Sequence, residues 1–92
     1  MIVSYACKDT ADLYLTMRSQ RWRSIERVAL RKLTLIDTAP VLELLRLPPG
    51  NRLEALVGDR AGQHSIRVND QWRVCFRWEA GNAHDVEIVD YH

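Results

Sequence analysis

The first half of the chain places apolar residues at helical spacing. Leu13 and Met17 lie four residues apart, and the preceding Asp9 and Thr10 have the short polar side chains typical of helix N-caps. A second helix is predicted to start near Ser24. Its apolar stripe consists of Ile25, Val28, Ala29, Leu33 and Ile36. A short strand at residues 2–5 precedes both helices, and residues 41–45 form a further short helical turn after Pro40.

The second half, which follows Leu-Pro-Pro-Gly at 47–50, alternates apolar and polar residues. Strands are predicted at 53–57, 64–68, 72–78 and 86–91. Alternation with a period of two is typical of an antiparallel sheet with one packed face and one solvent-exposed face. The sequence therefore predicts a single α+β domain, residues 1–92, with two N-terminal helices packed on a mostly antiparallel four- to five-stranded sheet.

The predicted register brings two arginines together on the solvent-exposed face. A turn at 69–71 places Arg67 directly opposite Arg73, without a carboxylate opposite either, while Arg77 faces Asp85. Tyr91 lies diagonal to Arg73. Two guanidinium groups suit a phosphate, although the same pattern fits two arginines that simply extend into water. On such a face, substitution of Arg73 is expected to leave folding intact.

The last residues add groups for acid–base chemistry. Asp90, Tyr91 and His92 follow an apolar strand beside the arginine cluster, and imidazole titrates near neutral pH. A terminal histidine is also typical of a frayed end or a tag residue. Glu54 is either a second base or a solvated strand carboxylate.

Composition narrows the class of protein. The 92 residues carry a net charge of +1, and no apolar run approaches the roughly 18 residues of a membrane span. Charged residues occur too close to the N-terminus for a secretory signal. The two cysteines are far apart in the sequence, which favours a reducing cytoplasm. No zinc spacing or glycine-rich phosphate loop is present, so no metal or cofactor is expected.

Positive charge is concentrated near the second helix. Between Arg18 and Lys32, six basic residues accompany a single acidic one, Glu26. Such a stripe is usually a solvated face, and its functional interpretation is a contact for nucleic acid or an acidic partner. The predicted contact residues for RNA or the ribosome are Arg23, Arg27, Arg31 and Lys32.

Three segments carry a family resemblance: residues 48–56 (Pro-Pro-Gly-Asn-Arg-Leu-Glu-Ala-Leu), residues 58–76 with Ser-Ile-Arg-Val-Asn-Asp-Gln-Trp-Arg, and the ending Val-Glu-Ile-Val-Asp-Tyr-His. Together they resemble HigB-type toxins, including GraT-like members, of the RelE/ParE superfamily. The resemblance implies the RelE-like fold and a bacterial type II toxin, a metal-independent endoribonuclease that cuts mRNA on the ribosome. It also implies a cytoplasmic location, a monomeric free toxin and a HigA-type helix-turn-helix antitoxin as partner.

The resemblance also implies roles for individual residues. Arg73, Asp90, Tyr91 and His92 match family active-site positions, while the roles of Arg67 and Glu54 are less specific. Some members carry His and Lys where this chain has Glu54 and Val57. The alternatives are a ParE-type gyrase poison of the same fold and a non-catalytic nucleic-acid-binding module.

Overall fold

Two helices lie against an antiparallel sheet in the computed structural model, which describes residues 1–90. Within this range the helices are α1 (Lys8–Thr16) and α2 (Glu26–Thr38). The strands are β1 (Glu54–Ala55), β2 (Gln63–Arg67), β3 (Trp72–Glu79) and β4 (Asn82–Asp90). Short 3₁₀ turns occupy Leu42–Arg46, Pro49–Asn51 and Gly58–Arg60. The predicted α+β architecture is confirmed.

The sheet has the order β1-β2-β3-β4, and each neighbouring pair is antiparallel. The N-terminal segment lies along β4 through parallel bridges from Ile2 to Ala83 and from Tyr5 to Val86. The predicted first strand is therefore a pair of isolated bridges and not a regular strand. The Asp37 carboxylate on α2 binds this segment, because it accepts a hydrogen bond from the Ile2 amide at 2.8 Å. It also accepts one from the Tyr14 hydroxyl of α1 at 2.8 Å.

The core lies between the helices and the face of the sheet that carries Ile66, Val74 and Phe76. These three side chains are fully buried, as are Leu33 and Ile36 of α2. The period-two pattern of β2 and β3 and the period-3.6 pattern of α2 thus point to the same interior, as the sequence predicts.

The predicted cap of the first helix is wrong. The helix begins at Lys8 after Cys7, so Asp9 and Thr10 lie inside its first turn. The Thr10 hydroxyl is buried and accepts a hydrogen bond from the Ile88 amide at 3.1 Å. Thr10 therefore joins α1 to β4 and does not cap the helix.

The predicted register is confirmed between β2 and β3, where Ile66 faces Val74 and Arg67 faces Arg73. Between β3 and β4 the predicted register is confirmed from Trp72–Asp90 to Cys75–Glu87. A bulge between Cys75 and Arg77 then shifts the pairing, so Arg77 faces His84 and the predicted Arg77–Asp85 alignment is wrong. Asp85 has a φ of 53°, typical of the extra residue in a bulge. Its carboxylate still reaches Arg77 Nε at 2.8 Å.

The strand predicted at 53–57 shortens to Glu54–Ala55. Arg52 before it has a φ of 47°, and Gly58 after it has a φ of 67°, so the backbone turns at both ends. Asn51 fixes the incoming turn: its side chain is fully buried, donates to the carbonyls of Leu45 and Leu47, and accepts from the Lys32 ammonium. Packing of the segment before β1 thus depends on buried polar contacts.

Candidate active site

The face of the sheet opposite the helices is buried in its centre. Ser65 and Cys75 are fully buried and Arg73 is 6% exposed, so the prediction of a solvent-exposed face is wrong here. The reason is the segment from Arg52 to Arg60, which contacts this face through the Arg52 carbonyl and the side chains of Glu54 and Arg60. Alternation located the two faces, but it could not show that a non-regular segment covers the second one.

A groove of about 370 Å³ lies between this segment and the sheet. Strands β1, β3 and β4 all contribute to it, with Cys75 and Val89 among its apolar lining. The charged lining residues are Glu54, Asp59, Arg60 and Asp90. The groove therefore holds carboxylates suited to proton transfer and a guanidinium suited to an anion.

Arg73 lies against this groove with its guanidinium fixed by several acceptors. Its Nη2 lies 3.4 Å from the Glu54 carboxylate and donates to the Arg52 carbonyl at 2.8 Å. Its Nε donates to the Ser65 hydroxyl at 2.8 Å. The structure thus brings together Glu54 and Arg73, two of the residues singled out in the sequence, and gives Arg73 the carboxylate partner that the predicted register lacked.

Arg67 does not join Arg73 in a common anion site. Although the two residues face each other across β2 and β3, the Arg67 guanidinium pairs with the carboxylate of Asp70 in the following turn. As predicted, neither arginine has a carboxylate directly opposite it across the strands, but each pairs with one elsewhere, Arg67 with Asp70 and Arg73 with Glu54. A turn residue three positions away supplied the partner, which cross-strand pairing alone does not reveal.

Asp90 ends β4 opposite Trp72 and lines the groove. One of its carboxylate oxygens accepts a hydrogen bond from the Gln71 amide at 3.1 Å. Tyr91 and His92, the other two predicted acid–base residues, lie outside the described residues. Their predicted roles stay predictions.

Arg60 is a groove residue that the sequence reasoning missed. Its guanidinium pairs with the Glu87 carboxylate at 2.8 Å and also donates to the Gln63 side chain at 3.1 Å. Arg60 belongs to a turn, where charge is ordinary. Its partner Glu87 gave no usable signal either, because the sequence pattern of β4 predicts a solvent-exposed face on which a carboxylate needs no cation.

The Cys75 thiol forms part of the groove wall, and burial raises its pKa above the ordinary 9.0. Arg60 lowers the pKa and Glu87 raises it, and among the smaller contributions Arg73 lowers the pKa and Glu54 raises it. At neutral pH the thiol is therefore protonated and acts as a small apolar group.

The predicted basic surface is only partly exposed. Arg23, Arg27 and Arg31 are exposed, and none of the three pairs with a carboxylate among residues 1–90. Lys32 is 6% exposed and donates to Asn51, so it does not share their surface. Burial lowers the pKa of Lys32, and the nearby Arg31 and Arg67 lower it further.

In residues 1–90, no cluster of three His, Cys, Asp or Glu side chains has the arrangement of a metal site. Neither helix in that range combines the length and apolar character needed to cross a membrane.

Comparison with known proteins decides the family. Residues 10–92 match the model of HigB-like toxins, described as the RelE-like toxin of the type II toxin-antitoxin system HigB. The chain belongs to the HigB-like toxin family. Toxin HigB-1 of Vibrio cholerae is 50% identical over 60 residues, which are 65% of this chain and 63% of that protein. Endoribonuclease HigB of Proteus vulgaris is 38% identical over 61 residues, 66% of this chain and 65% of that protein.

Solved structures confirm the fold at low sequence identity. YafQ from Escherichia coli superposes with a TM-score of 0.64 at 13% identity, over 98% of this chain and 93% of that one. A YoeB/ParE toxin from Agrobacterium tumefaciens gives 0.57 at 20% identity over the whole of both chains. The chain covers slightly less than two thirds of the length of the Vibrio and Proteus relatives.

Proposed function

We propose that this HigB-like toxin is a metal-independent endoribonuclease that cuts mRNA engaged by the ribosome. The observation that carries the proposal is the groove, which Glu54 of β1 and Asp90 of β4 both line, together with the ion pair between Glu54 and the buried guanidinium of Arg73. The Proteus relative, which is named an endoribonuclease, supports this interpretation.

The proposed reaction needs three kinds of group. The ribose 2′-oxygen attacks the adjacent phosphorus and the bond to the 5′-oxygen breaks, which leaves a 2′,3′-cyclic phosphate and a 5′-hydroxyl. A base accepts the 2′-hydroxyl proton, an acid protonates the leaving oxygen, and a cation stabilises the charge that develops on the phosphorane. Side chains supply all three groups, so the reaction requires no metal.

The candidate site residues divide among these roles. Arg73 is proposed to stabilise the phosphorane. Asp90 or His92 is proposed as the base and Tyr91 as the acid or positioning group, while Glu54 holds Arg73 or shares in proton transfer. Arg67, which is paired with Asp70, has a supporting electrostatic role.

Dependence on the ribosome follows from charge. A net charge of +1 offers little independent affinity for RNA, because binding to phosphates depends on how many cations contact them. The exposed Arg23, Arg27 and Arg31 are proposed to contact ribosomal RNA, whereas the buried Lys32 supports the Asn51 turn. The protein is further proposed to act in the cytoplasm as a monomer and to be neutralised by a HigA-type helix-turn-helix antitoxin.

Expression in bacteria followed by mapping of mRNA 5′ ends tests the function. The expected result is growth arrest, with new mRNA 5′ ends at fixed positions within codons of translated regions. Expression of Arg73→Lys is expected to produce no such ends. Arrest with intact mRNA and double-strand DNA breaks would assign the chain to the gyrase poisons. Arrest with neither kind of damage would indicate a binding module.

A further inference from the structure

Ser65 is a small polar residue at the centre of the sheet. It is fully buried, faces away from the helices, and pairs in register with Glu54 of β1 on one side and Cys75 of β3 on the other. A buried hydroxyl is favourable only when it is hydrogen-bonded. Because Ser65 lies between two groove-lining residues, the group that bonds to its hydroxyl lies close to the candidate site.

That partner is Arg73. The Ser65 hydroxyl accepts from Arg73 Nε at 2.8 Å, and the Ser65 carbonyl accepts from Nη2 at 3.4 Å. The Arg52 carbonyl accepts from the same Nη2 at 2.8 Å. Nε and Nη2 form one edge of the guanidinium, so these acceptors fix the rotation of its plane. We call this set of acceptors the Arg73 cradle.

Besides the Ser65 hydroxyl, the two other acceptors of the Arg73 cradle are backbone carbonyls, those of Ser65 and Arg52. The Arg52 carbonyl is aimed by the left-handed conformation of Arg52, at φ 47°, directly after the buried Asn51. Its position therefore follows from the chain and does not depend on the identity of a side chain in β2. Ser65 is the cradle residue whose side-chain contact can be deleted without altering charge or backbone.

An arginine side chain has four rotatable bonds, and charge stabilisation in a transition state requires a donor already held at its working position. A hydroxyl bonded to Nε restricts the last of these torsions. Burial of both partners strengthens the bond, since solvent does not compete for it. Thus the contact is built to orient the guanidinium as well as to satisfy a buried polar group.

We propose that Ser65 is a positioning residue for Arg73, holding the guanidinium plane in the orientation that stabilises the scissile phosphate. The inference rests on the proposed function and deepens it, since Ser65 acts on the same site without contacting substrate. It predicts that the hydroxyl controls the rate of the chemical step and not the binding of the substrate.

A matched pair of variants isolates the hydroxyl. Ser65→Thr and Ser65→Val add similar bulk to the same strand and differ in whether a hydroxyl remains. On ribosome-engaged mRNA, Ser65→Val is expected to have a kcat lower than Ser65→Thr by about 10- to 100-fold, with the same KM, because a small misplacement of a catalytic group has effects of this size. Equal kcat values in the two variants would overturn the proposal.

Ser65→Ala covers the case in which the added methyl groups disturb folding, since it removes the hydroxyl without adding bulk. Ser4→Ala is the control: Ser4 also accepts a 2.8 Å hydrogen bond, from the Asp85 amide, on a part of the sheet remote from Arg73. Ser65→Ala is expected to lower kcat, whereas Ser4→Ala keeps the wild-type kcat. A wild-type kcat in a folded Ser65→Ala would contradict the assignment.

A spectroscopic measurement separates this inference from the function on which it rests. The Nε–H proton of Arg73 is expected to exchange slowly with water in the wild type and in Ser4→Ala, and at least about tenfold faster in Ser65→Ala. If the wild type cuts no RNA, the proposed function fails and this exchange rate still tests positioning. Unchanged exchange in Ser65→Ala would overturn the positioning role whatever the activity.

Discussion

Burial changes what a substitution of Arg73 measures. On an exposed face, loss of the guanidinium would test catalysis alone, and the alternating pattern of β3 predicts such a face. In the structure the Arg73 side chain is 7% exposed and donates hydrogen bonds to the Ser65 hydroxyl and to the Arg52 carbonyl. The exposed position that led us to expect intact folding in Arg73→Ala is therefore wrong, and we now expect a loss of stability, because truncation leaves buried acceptors without a donor.

Arg73→Ala is expected to lower the free energy of unfolding by on the order of 3 kcal/mol, since several buried acceptors lose their donor at once. Arg73→Lys keeps the charge but loses the planar fork, so it is expected to remain folded while cleavage falls about 10²-fold. Thermal denaturation and cleavage rates check both. The control Arg77→Lys changes a partly exposed, ion-paired arginine of the same strand. An equal loss of activity in that control would remove the special role of Arg73.

Cys75 gives a pH dependence with a definite sign. Its folded-state pKa is raised by burial, so the folded protein keeps a proton that the unfolded chain loses above about pH 9. The contribution of Cys75 to the free energy of unfolding is expected to be constant well below this pH and to fall as pH rises through it. Burial also raises the pKa values of Tyr5 and Tyr14, which act in the same direction.

The part due to Cys75 is measured by comparing wild type with Cys75→Ala in chemical denaturation at about pH 7.5 and about pH 10, an interval of roughly 2.5 pH units chosen to span the titration. The variant is expected to lose less stability across that interval. An equal loss in both proteins would show that the Cys75 thiol titrates alike in the folded and unfolded states.

At the scale of elements, the regular parts of the fold could be predicted and the irregular parts could not. The apolar residues between Ile25 and Ile36 have helical spacing, and those around Ile66 and Val74 alternate as in a strand. This spacing is visible within each segment alone, so α2, β2 and β3 can be predicted from the sequence. The bulge at Asp85 and the cover over Arg73 depend on contacts between distant segments. The candidate site belongs to this second group: Glu54 and Arg73 could be named, but their pairing and the participation of Arg60 could not.

The Asn51 turn is the element on which the groove depends. Asn51→Ala is expected to lower the free energy of unfolding by about 3 kcal/mol, because the Leu45 and Leu47 carbonyls and the Lys32 ammonium all lose a buried partner. Chemical denaturation measures the change. Asn82→Ala is the matched control, since the Asn82 amide makes a single 3.4 Å contact with the exposed Ala80 carbonyl. Similar losses in the two variants would contradict the account.

At the scale of the whole molecule, the described residues include ion-paired arginines and an exposed group of arginines without carboxylate partners. Within residues 1–90, two arginines at the groove are matched with carboxylates, Arg60 with Glu87 and Arg73 with Glu54. The exposed Arg23, Arg27 and Arg31 have no such partners in that range. A near-neutral protein thus keeps an unneutralised basic surface, which suits a contact with a polyanion.

A pair of double variants tests this surface. Replacing Arg27 and Arg31 by Gln is expected to weaken binding to ribosomes and to reduce the slope of log affinity against log salt by about 0.7–0.9 for each lost phosphate contact. Replacing Arg46 and Arg77 by Gln removes the same charge from arginines that are paired with carboxylates. Equal effects of the two double variants would show that net charge, and not this surface, governs binding.

The most direct test of the central claim is end mapping of a defined mRNA incubated with purified protein, with and without translating ribosomes. The account predicts cleavage at the ribosomal position, with a 2′,3′-cyclic phosphate and a 5′-hydroxyl at the new ends. It also predicts little cleavage of the free transcript, a large loss with Arg73→Lys and full activity with Arg77→Lys. Intact mRNA on ribosomes, or cleavage that Arg73→Lys leaves unchanged, would contradict it.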